Sequence, residues 1–252
     1  MFDLHGRVAV ITGSTRGIGL AIAQRMAEFG AYVVVSSRKE DACARVADEI
    51  VRAGGTALAI PANIGDKTAL QALVDRTIAK WGKIDILVCN AAINPHFGPM
   101  RTLEDSAFDK IMASNVRSNL WLCNMVIPQM AQRKDGAVVI ISSIAGLKGN
   151  EKLGAYGISK AADFQLVRNL AVEWGSSNVR VNAIAPSIVR TDFARALWED
   201  PETYADAVAR YPLGRIGEPD DIAGAAIFLA SRAGAFVTGQ VIVVDGGVTI
   251  AG

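Results

Sequence analysis

Short runs of consecutive apolar residues alternate with longer stretches of helical spacing from one end of this chain to the other, and that rhythm restricts the fold more than any other feature. Residues 8–12 (Val-Ala-Val-Ile-Thr) form the first run. Residues 17–29 then carry Ile18, Ala21, Ile22, Met26 and Phe29 at helical intervals, and Gly30 closes the helix. Further strands are expected at 31–36, 57–60, 84–89, 137–142, 180–185 and 240–245, and further helices at 41–53, 67–81, 103–130, 156–174 and 219–230. A strand with one wet face alternates polar and apolar residues. These runs of Val, Ile, Leu and Ala are nearly continuous, so both faces must be covered. The pattern predicts a doubly wound α/β fold, a seven-stranded parallel sheet with helices on both faces and right-handed crossovers. No linker, repeat or low-complexity tract divides the chain, so residues 1–252 are read as a single domain. Two segments break the rhythm, a glycine-containing loop at 143–155 and a long insertion at 187–217. Both follow the carboxyl ends of strands, where open α/β sheets bind ligands.

Charge and composition remove several function classes. Lys and Arg number 26 against 25 Asp and Glu, a net charge of +1 that gives no global field for nucleic acid or an anionic membrane. The three cysteines, Cys43, Cys89 and Cys123, form no Cys-x-x-Cys pair and suit a reducing compartment. His5 and His96 are the only histidines, and no cluster has metal-ligand spacing, so no metal is expected. No apolar stretch reaches the ~18 residues of a spanning helix. The first residues lack the regions of a signal peptide and the last lack a Ser-Lys-Leu address, which makes the cytoplasm the expected location.

The first strand runs into Thr12-Gly13-Ser14-Thr15-Arg16-Gly17-Ile18-Gly19, where the first helix opens. Glycines there let the backbone turn tightly and approach a ligand closely. The N–H groups and dipole of the helix start favour a pyrophosphate, so Gly13, Ser14, Arg16, Gly17, Ile18 and Gly19 are the candidate dinucleotide cradle. An NAD site uses an acid at the end of the second strand to take the ribose 2′-hydroxyl. This strand ends Ser36-Ser37-Arg38-Lys39 instead. Arg38 offers a planar fork to a 2′-phosphate, beside Ser37 and with Arg16 as a second cation, so NADP(H) is favoured over NAD(H).

Tyr156 and Lys160 sit four residues apart at the start of the helix expected at 156–174 and share a face. An ammonium at about 5 Å, in an effective dielectric of about 20, stabilises a phenolate by ~3 kcal/mol, as a general acid/base needs. Ser143 lies 13 residues before the tyrosine, after the fifth strand, and Asn115 a further 28 before that.

The Thr-Gly-x3-Gly-x-Gly turn, together with Asn115, Ser143, Tyr156 and Lys160 at these spacings, resembles the short-chain dehydrogenase/reductase family, over essentially the whole chain. The resemblance implies a Rossmann-like fold and a tetrad. In it Tyr156 is the acid/base, Lys160 holds the nicotinamide ribose and eases deprotonation of the phenol, Ser143 binds the substrate oxygen, and Asn115 holds a water in a proton relay. Asn90-Ala91-Ala92 stands where the family has Asn-Ala-Gly. Pro186-Ser187-Ile188-Val189-Arg190-Thr191 stands for Pro-Gly-x3-Thr, which implies that the Val189 N–H and the Thr191 hydroxyl bind the carboxamide. Asn63-Ile64 stands for Asp-Val beside the adenine. Ala92 and Ser187 thus replace glycines, and Asn63 lacks the usual charge. Val-Val-Val-Ser-Ser-Arg-Lys, Asn-Ala-Ala-Ile-Asn-Pro and Leu197-Trp198 are similar to peroxisomal NADP-dependent retinol dehydrogenases/reductases, and 3-oxoacyl-carrier-protein reductases are also similar.

The insertion carries Phe193, Leu197, Trp198, Tyr204, Tyr211 and Leu213, which reads either as a lid over a small hydrophobic carbonyl or alcohol substrate or as packing for the insertion itself. Asn94, His96, Phe97 and Leu153 are candidate pocket walls, with His96 read as a loop residue. The expected activity is reduction of a ketone or aldehyde, or its reverse. The alternatives are reduction of a 3-oxoacyl thioester and, of a different class, an inert NADP-binding regulator. The family resemblance also implies a homotetramer.

Overall fold

The computed structural model describes residues 1–251. Seven strands pair in parallel, in the order β3-β2-β1-β4-β5-β6-β7. They are β1 (Val8–Thr12), β2 (Tyr32–Ser36), β3 (Thr56–Ala59), β4 (Ile86–Cys89), β5 (Gly136–Ile141), β6 (Val179–Pro186) and β7 (Val241–Val244). Successive strand residues point to opposite faces, which explains why the runs are continuously apolar. Ala9 and Ile11 of β1, with Val33 and Val35 of β2, pack into one core with helices α1 (Gly17–Glu28), α2 (Glu40–Arg52) and α8 (Pro219–Ala230). Val10 and Val34 face the other core, against α3 (Lys67–Trp81), α5 (Ser118–Arg133) and α6 (Gly154–Trp174).

The sheet grows outward in both directions from its middle. β1 pairs with β2 on one side, through Val8↔Tyr32 to Thr12↔Ser36, and with β4 on the other, through Ala9↔Ile86 to Ile11↔Val88. The loops after β1 and β4 therefore diverge to opposite faces and leave a crevice at the carboxyl ends, the topological switch point at which such sheets bind ligands.

The largest departure from the sequence reading lies at 103–130, which is not one helix. α4 (Asp105–Met112) and α5 are joined by a π-helical stretch, Ala113–Arg117, with Asn115 at its centre. A single π turn inserts one extra residue into a helix. Here the Asn115 side chain fixes it from outside the helix, as described below. The helix also continues past Pro128 to Arg133. The insertion contains helical structure of its own, a 3₁₀ segment Asp192–Leu197 and helix α7 (Pro201–Val208). Asp200 starts α7 by accepting from Thr203 N at 2.9 Å, with Pro201 at the first helical position. No helix among the described residues is long and apolar enough to cross a membrane.

Candidate active site

The glycine turn is built for close approach. Gly13 (φ +65°) and Gly17 (φ +55°) occupy the left-handed region, and a Cβ on Gly19 would stand 2.4 Å from both Asn90 Nδ2 and the Gly13 oxygen. α1 starts at Gly17 with no side-chain cap and no acid in its first turn, which leaves the positive end of the helix open to an anion. The Ser14 hydroxyl points inward instead, donating to the Ile11 carbonyl at 2.8 Å and accepting from Ser36 N at 2.9 Å, so it ties β1 to β2. Ile18 packs against the core beneath.

Thr12 is a site residue that the sequence reading passed over. Its Oγ1 accepts from Asn90 N and Ala91 N at 3.0 and 3.1 Å, while Asn90 Nδ2 donates to the Thr12 and Gly13 carbonyls at 2.9 and 3.2 Å. This lattice clasps the β1 and β4 loops together across the crevice. The signal for Thr12 in the sequence is its place as the first residue of the Thr-Gly-x3-Gly-x-Gly turn. Ala92 continues the β4 loop half-buried, with a methyl group where the family has glycine.

At the end of β2, Arg38 is exposed and forms no salt bridge among the described residues. Ser37 is held by Cys43, whose Sγ accepts from Ser37 N at 3.1 Å. Arg16 is also exposed and stands 3.9 Å from Asp192 at the root of the insertion. Asn63 turns its Oδ1 to Gly65 N at 3.1 Å, beside half-buried Ile64. On the far side of the crevice Pro186 ends β6, Val189 is buried and bridges to Gly217, and the Thr191 hydroxyl donates to the Val189 carbonyl at 3.2 Å. The Thr191 methyl lies against Gly17, at 3.0 Å from where a Cβ there would sit.

Three of the four candidate catalytic residues, Asn115, Tyr156 and Lys160, are linked by contacts, and Ser143 follows Ser142, which bonds the Lys160 carbonyl. Tyr156 is 9% exposed, and the Lys160 Nζ lies 5.6 Å from the centroid of its ring. Lys160 is 2% exposed. Its ammonium donates to the Ile141 carbonyl at 3.0 Å and to Asp163 Oδ2 at 3.3 Å. Burial by itself disfavours the ammonium, yet Asp163 and then Tyr156 outweigh burial and raise the proton affinity of Lys160 above the ordinary lysine value. Ser143 follows β5 and accepts from Ala145 N at 3.1 Å, while Ser142 donates to the Lys160 carbonyl at 2.9 Å. Asn115 is fully buried. Its Oδ1 accepts from Ile93 N at 2.9 Å, and its Nδ2 donates to the Ile93 carbonyl at 3.0 Å and to Ser159 Oγ at 3.1 Å. Ser159 in turn donates to the Tyr156 carbonyl at 2.7 Å, so Asn115 braces the tyrosine helix.

The insertion reaches this cluster. The Phe193 ring is 6.1 Å from that of Tyr156. Arg190 lies against both Trp198 and Tyr204, 5.3 and 5.6 Å from their rings, and pairs with Glu218 at 2.9 Å. Trp198 Nε1 donates to the Thr191 carbonyl at 3.0 Å. Asn94, on the β4 loop, keeps a buried Oδ1 without a partner among the described residues. The His96 ring lies 3.4 Å from the Pro99 carbonyl oxygen, within its own loop.

Known proteins share this architecture. Residues 13–249 match a family model described as enoyl-(acyl carrier protein) reductase. Dehydrogenase/reductase SDR family member 4 of Bos taurus is 41% identical over 97% of this chain and 88% of its own length, and its Homo sapiens counterpart is 38% identical over the same shares. Among solved structures, a 7α-hydroxysteroid dehydrogenase complexed with NADH and 7-oxo glycochenodeoxycholic acid superposes with a TM-score of 0.94, at 40% identity over 98% of this chain and 95% of that one. A gluconate 5-dehydrogenase from Burkholderia cenocepacia in complex with NADP and tartrate gives 0.95, at 34% identity over 100% and 98%. With the fold, the glycine turn and nearly the whole length in agreement, the chain belongs to the short-chain dehydrogenase/reductase family of oxidoreductases.

Proposed function

We propose that this chain interconverts a carbonyl compound and its alcohol with NADP(H), Tyr156 acting as the general acid/base. One observation carries the reading: a buried ammonium, Lys160, held 5.6 Å from the ring of a tyrosine at the carboxyl-end crevice of the sheet. The crevice fits the cofactor on its own terms. A Cβ would fill the cradle at Gly19, the α1 terminus is uncapped and free of acids, and Arg38 stands exposed where a 2′-phosphate needs a cation. Gly13, Arg16, Gly17, Ile18 and Gly19 would hold the pyrophosphate and Ser37 and Arg38 the 2′-phosphate. Asn63, Ile64, Asn90, Ala91 and Ala92 would flank the adenine half, and Pro186, Val189 and Thr191 the nicotinamide half. The bound cofactor supplies or accepts the hydride.

The chain handles the proton. In reduction the Tyr156 phenol donates to the oxygen that becomes the hydroxyl, and in oxidation it accepts that proton back. Ser143 donates to the same oxygen and orients it, and the Lys160 charge stabilises the phenolate. Asn115 keeps the tyrosine helix in register with the β4 loop. Phe193, across from Tyr156, gives the substrate an aromatic wall, which favours a hydrophobic substrate.

The test is turnover of NADPH and NADH against ketones, aldehydes and acyl thioesters, read by nicotinamide absorbance. NADPH consumption with a hydrophobic carbonyl is the expected result. 3-Oxoacyl thioesters are the second substrate class, and preference for them would revise the substrate but not the chemistry. Tight NADPH binding with no turnover on the whole panel would turn the reading to a regulatory nucleotide binder. The three buried free cysteines suit the cytoplasm as compartment, and a homotetramer is the proposed assembly.

A further inference from the structure

Asp163 belongs to none of the roles above, yet it is the most completely enclosed charge in the molecule's centre, at 0% exposure. It sits three residues after Lys160 on α6, and its two oxygens are separately engaged. Oδ2 accepts from Lys160 Nζ at 3.3 Å, and Oδ1 accepts from Asn119 Nδ2 at 3.0 Å. The Asn119 amide also donates to the Asn115 main-chain carbonyl at 2.7 Å. A chain of side chains with no exposed member therefore runs from the π-helical stretch through Asn119 and Asp163 to the ammonium beside Tyr156. A carboxylate without such partners would not remain ionised at this depth.

We propose that Asp163 is the positioning counter-ion of Lys160, clamped by Asn119, and that it keeps the ammonium charged and aimed at Tyr156 and the cofactor ribose. The inference rests on the functional reading above. The ammonium has three protons. Two are taken by Ile141 and Asp163, which leaves one for a ligand and fixes its direction. The other titratable groups facing Lys160 do not substitute for Asp163. Tyr156, on the same helix, must itself exchange a proton. Cys89, a free thiol at the end of β4, is buried against the thiol of Cys123 on α5; the hydrogen bond with Cys123 and then burial push it well above the ordinary thiol range, so it remains neutral. Without Asp163, burial dominates and lowers the proton affinity of Lys160. The lysine then loses its charge as pH rises.

The experiment measures the NADPH dissociation constant by fluorescence, and kcat/KM for NADPH, from pH 6 to pH 9, in the wild-type chain, Asp163→Asn and Asp163→Glu. Relative to wild type, Asp163→Asn is expected to bind and turn over comparably at pH 6 and to fall by about tenfold or more by pH 9, since each pH unit beyond the midpoint costs about tenfold in the charged fraction. Asp163→Glu is expected to restore a flat ratio. A flat ratio for Asp163→Asn, whatever its height, reduces Asp163 to a packing role and overturns the proposal. Should Asp163→Asn not fold, Asp163→Ser, which likewise removes the charge, is expected to show the same fall, and a flat ratio there is equally fatal. Failure of the wild-type chain to bind NADPH at all would instead refute the functional reading.

Discussion

Tyr156 is held on three sides by groups that each restrict a different freedom. Ser159 fixes its carbonyl, Lys160 lies near its ring and Phe193 faces it from the insertion. Replacing it by phenylalanine removes one oxygen and leaves that packing intact. We expect Tyr156→Phe to keep NADPH affinity within about twofold and to lose about 10²–10⁴-fold in kcat, the range ordinarily supplied by a positioned acid/base; near-wild-type turnover would remove the tyrosine from the mechanism. At the other end of the crevice, Arg38 faces solvent. An aspartate there would repel a 2′-phosphate and offer an acceptor to a 2′-hydroxyl, so Arg38→Asp is expected to move the NADP-to-NAD ratio of kcat/KM by about tenfold or more toward NAD. An unchanged ratio would place the 2′-phosphate elsewhere. Residues with a motif around them were legible in the sequence, whereas Asp163 and Asn119 were not, and Thr12 was legible only as the first residue of the turn. An acid three residues from a lysine on a helix reads as a solvated surface pair. Only the fold brings Asn119, 44 positions away, onto its other oxygen.

Helices and strands were legible where their period was pure. The seven strands followed from unbroken apolar runs; the inner strands are covered on both faces, and the edge strands β3 and β7 only partly. The π-helical stretch was not legible. A single inserted residue barely disturbs an apolar period over 28 residues, and what stabilises it is the Asn115 side chain bonding Ile93, 22 positions earlier. The tolerance of the glycine turn can be measured. Gly19→Ala would force the turn away from Asn90 and the Gly13 carbonyl. We expect it to lower stability by about 1–3 kcal/mol, as overpacking does, and to weaken NADPH binding at least about tenfold. Both are read by denaturant unfolding and fluorescence titration, and retention of full affinity would contradict the cradle.

On the scale of the whole molecule, one surface property remains to be explained by assembly. Val172 on α6 is 87% exposed and Phe236, before β7, is fully exposed, with Leu120 and Ile158 also uncovered. Apolar side chains left open on several elements are what a homo-oligomer would cover. A tetramer is expected by light scattering coupled to size exclusion. A monomer at micromolar concentration would refute it, and Phe236→Asp is expected to shift the population toward smaller species.

The position of β1 between β2 and β4 also bears on biosynthesis. On the ribosome, β1, β2 and β3 emerge first and can pair at once, but the other edge of β1 has no neighbour until β4 has been translated. At about 5–20 residues per second, the nascent chain carries an apolar, hydrogen-bond-hungry edge for several seconds. That edge later becomes the centre of the mature sheet, so until β4 arrives it is the place where a chaperone would be needed.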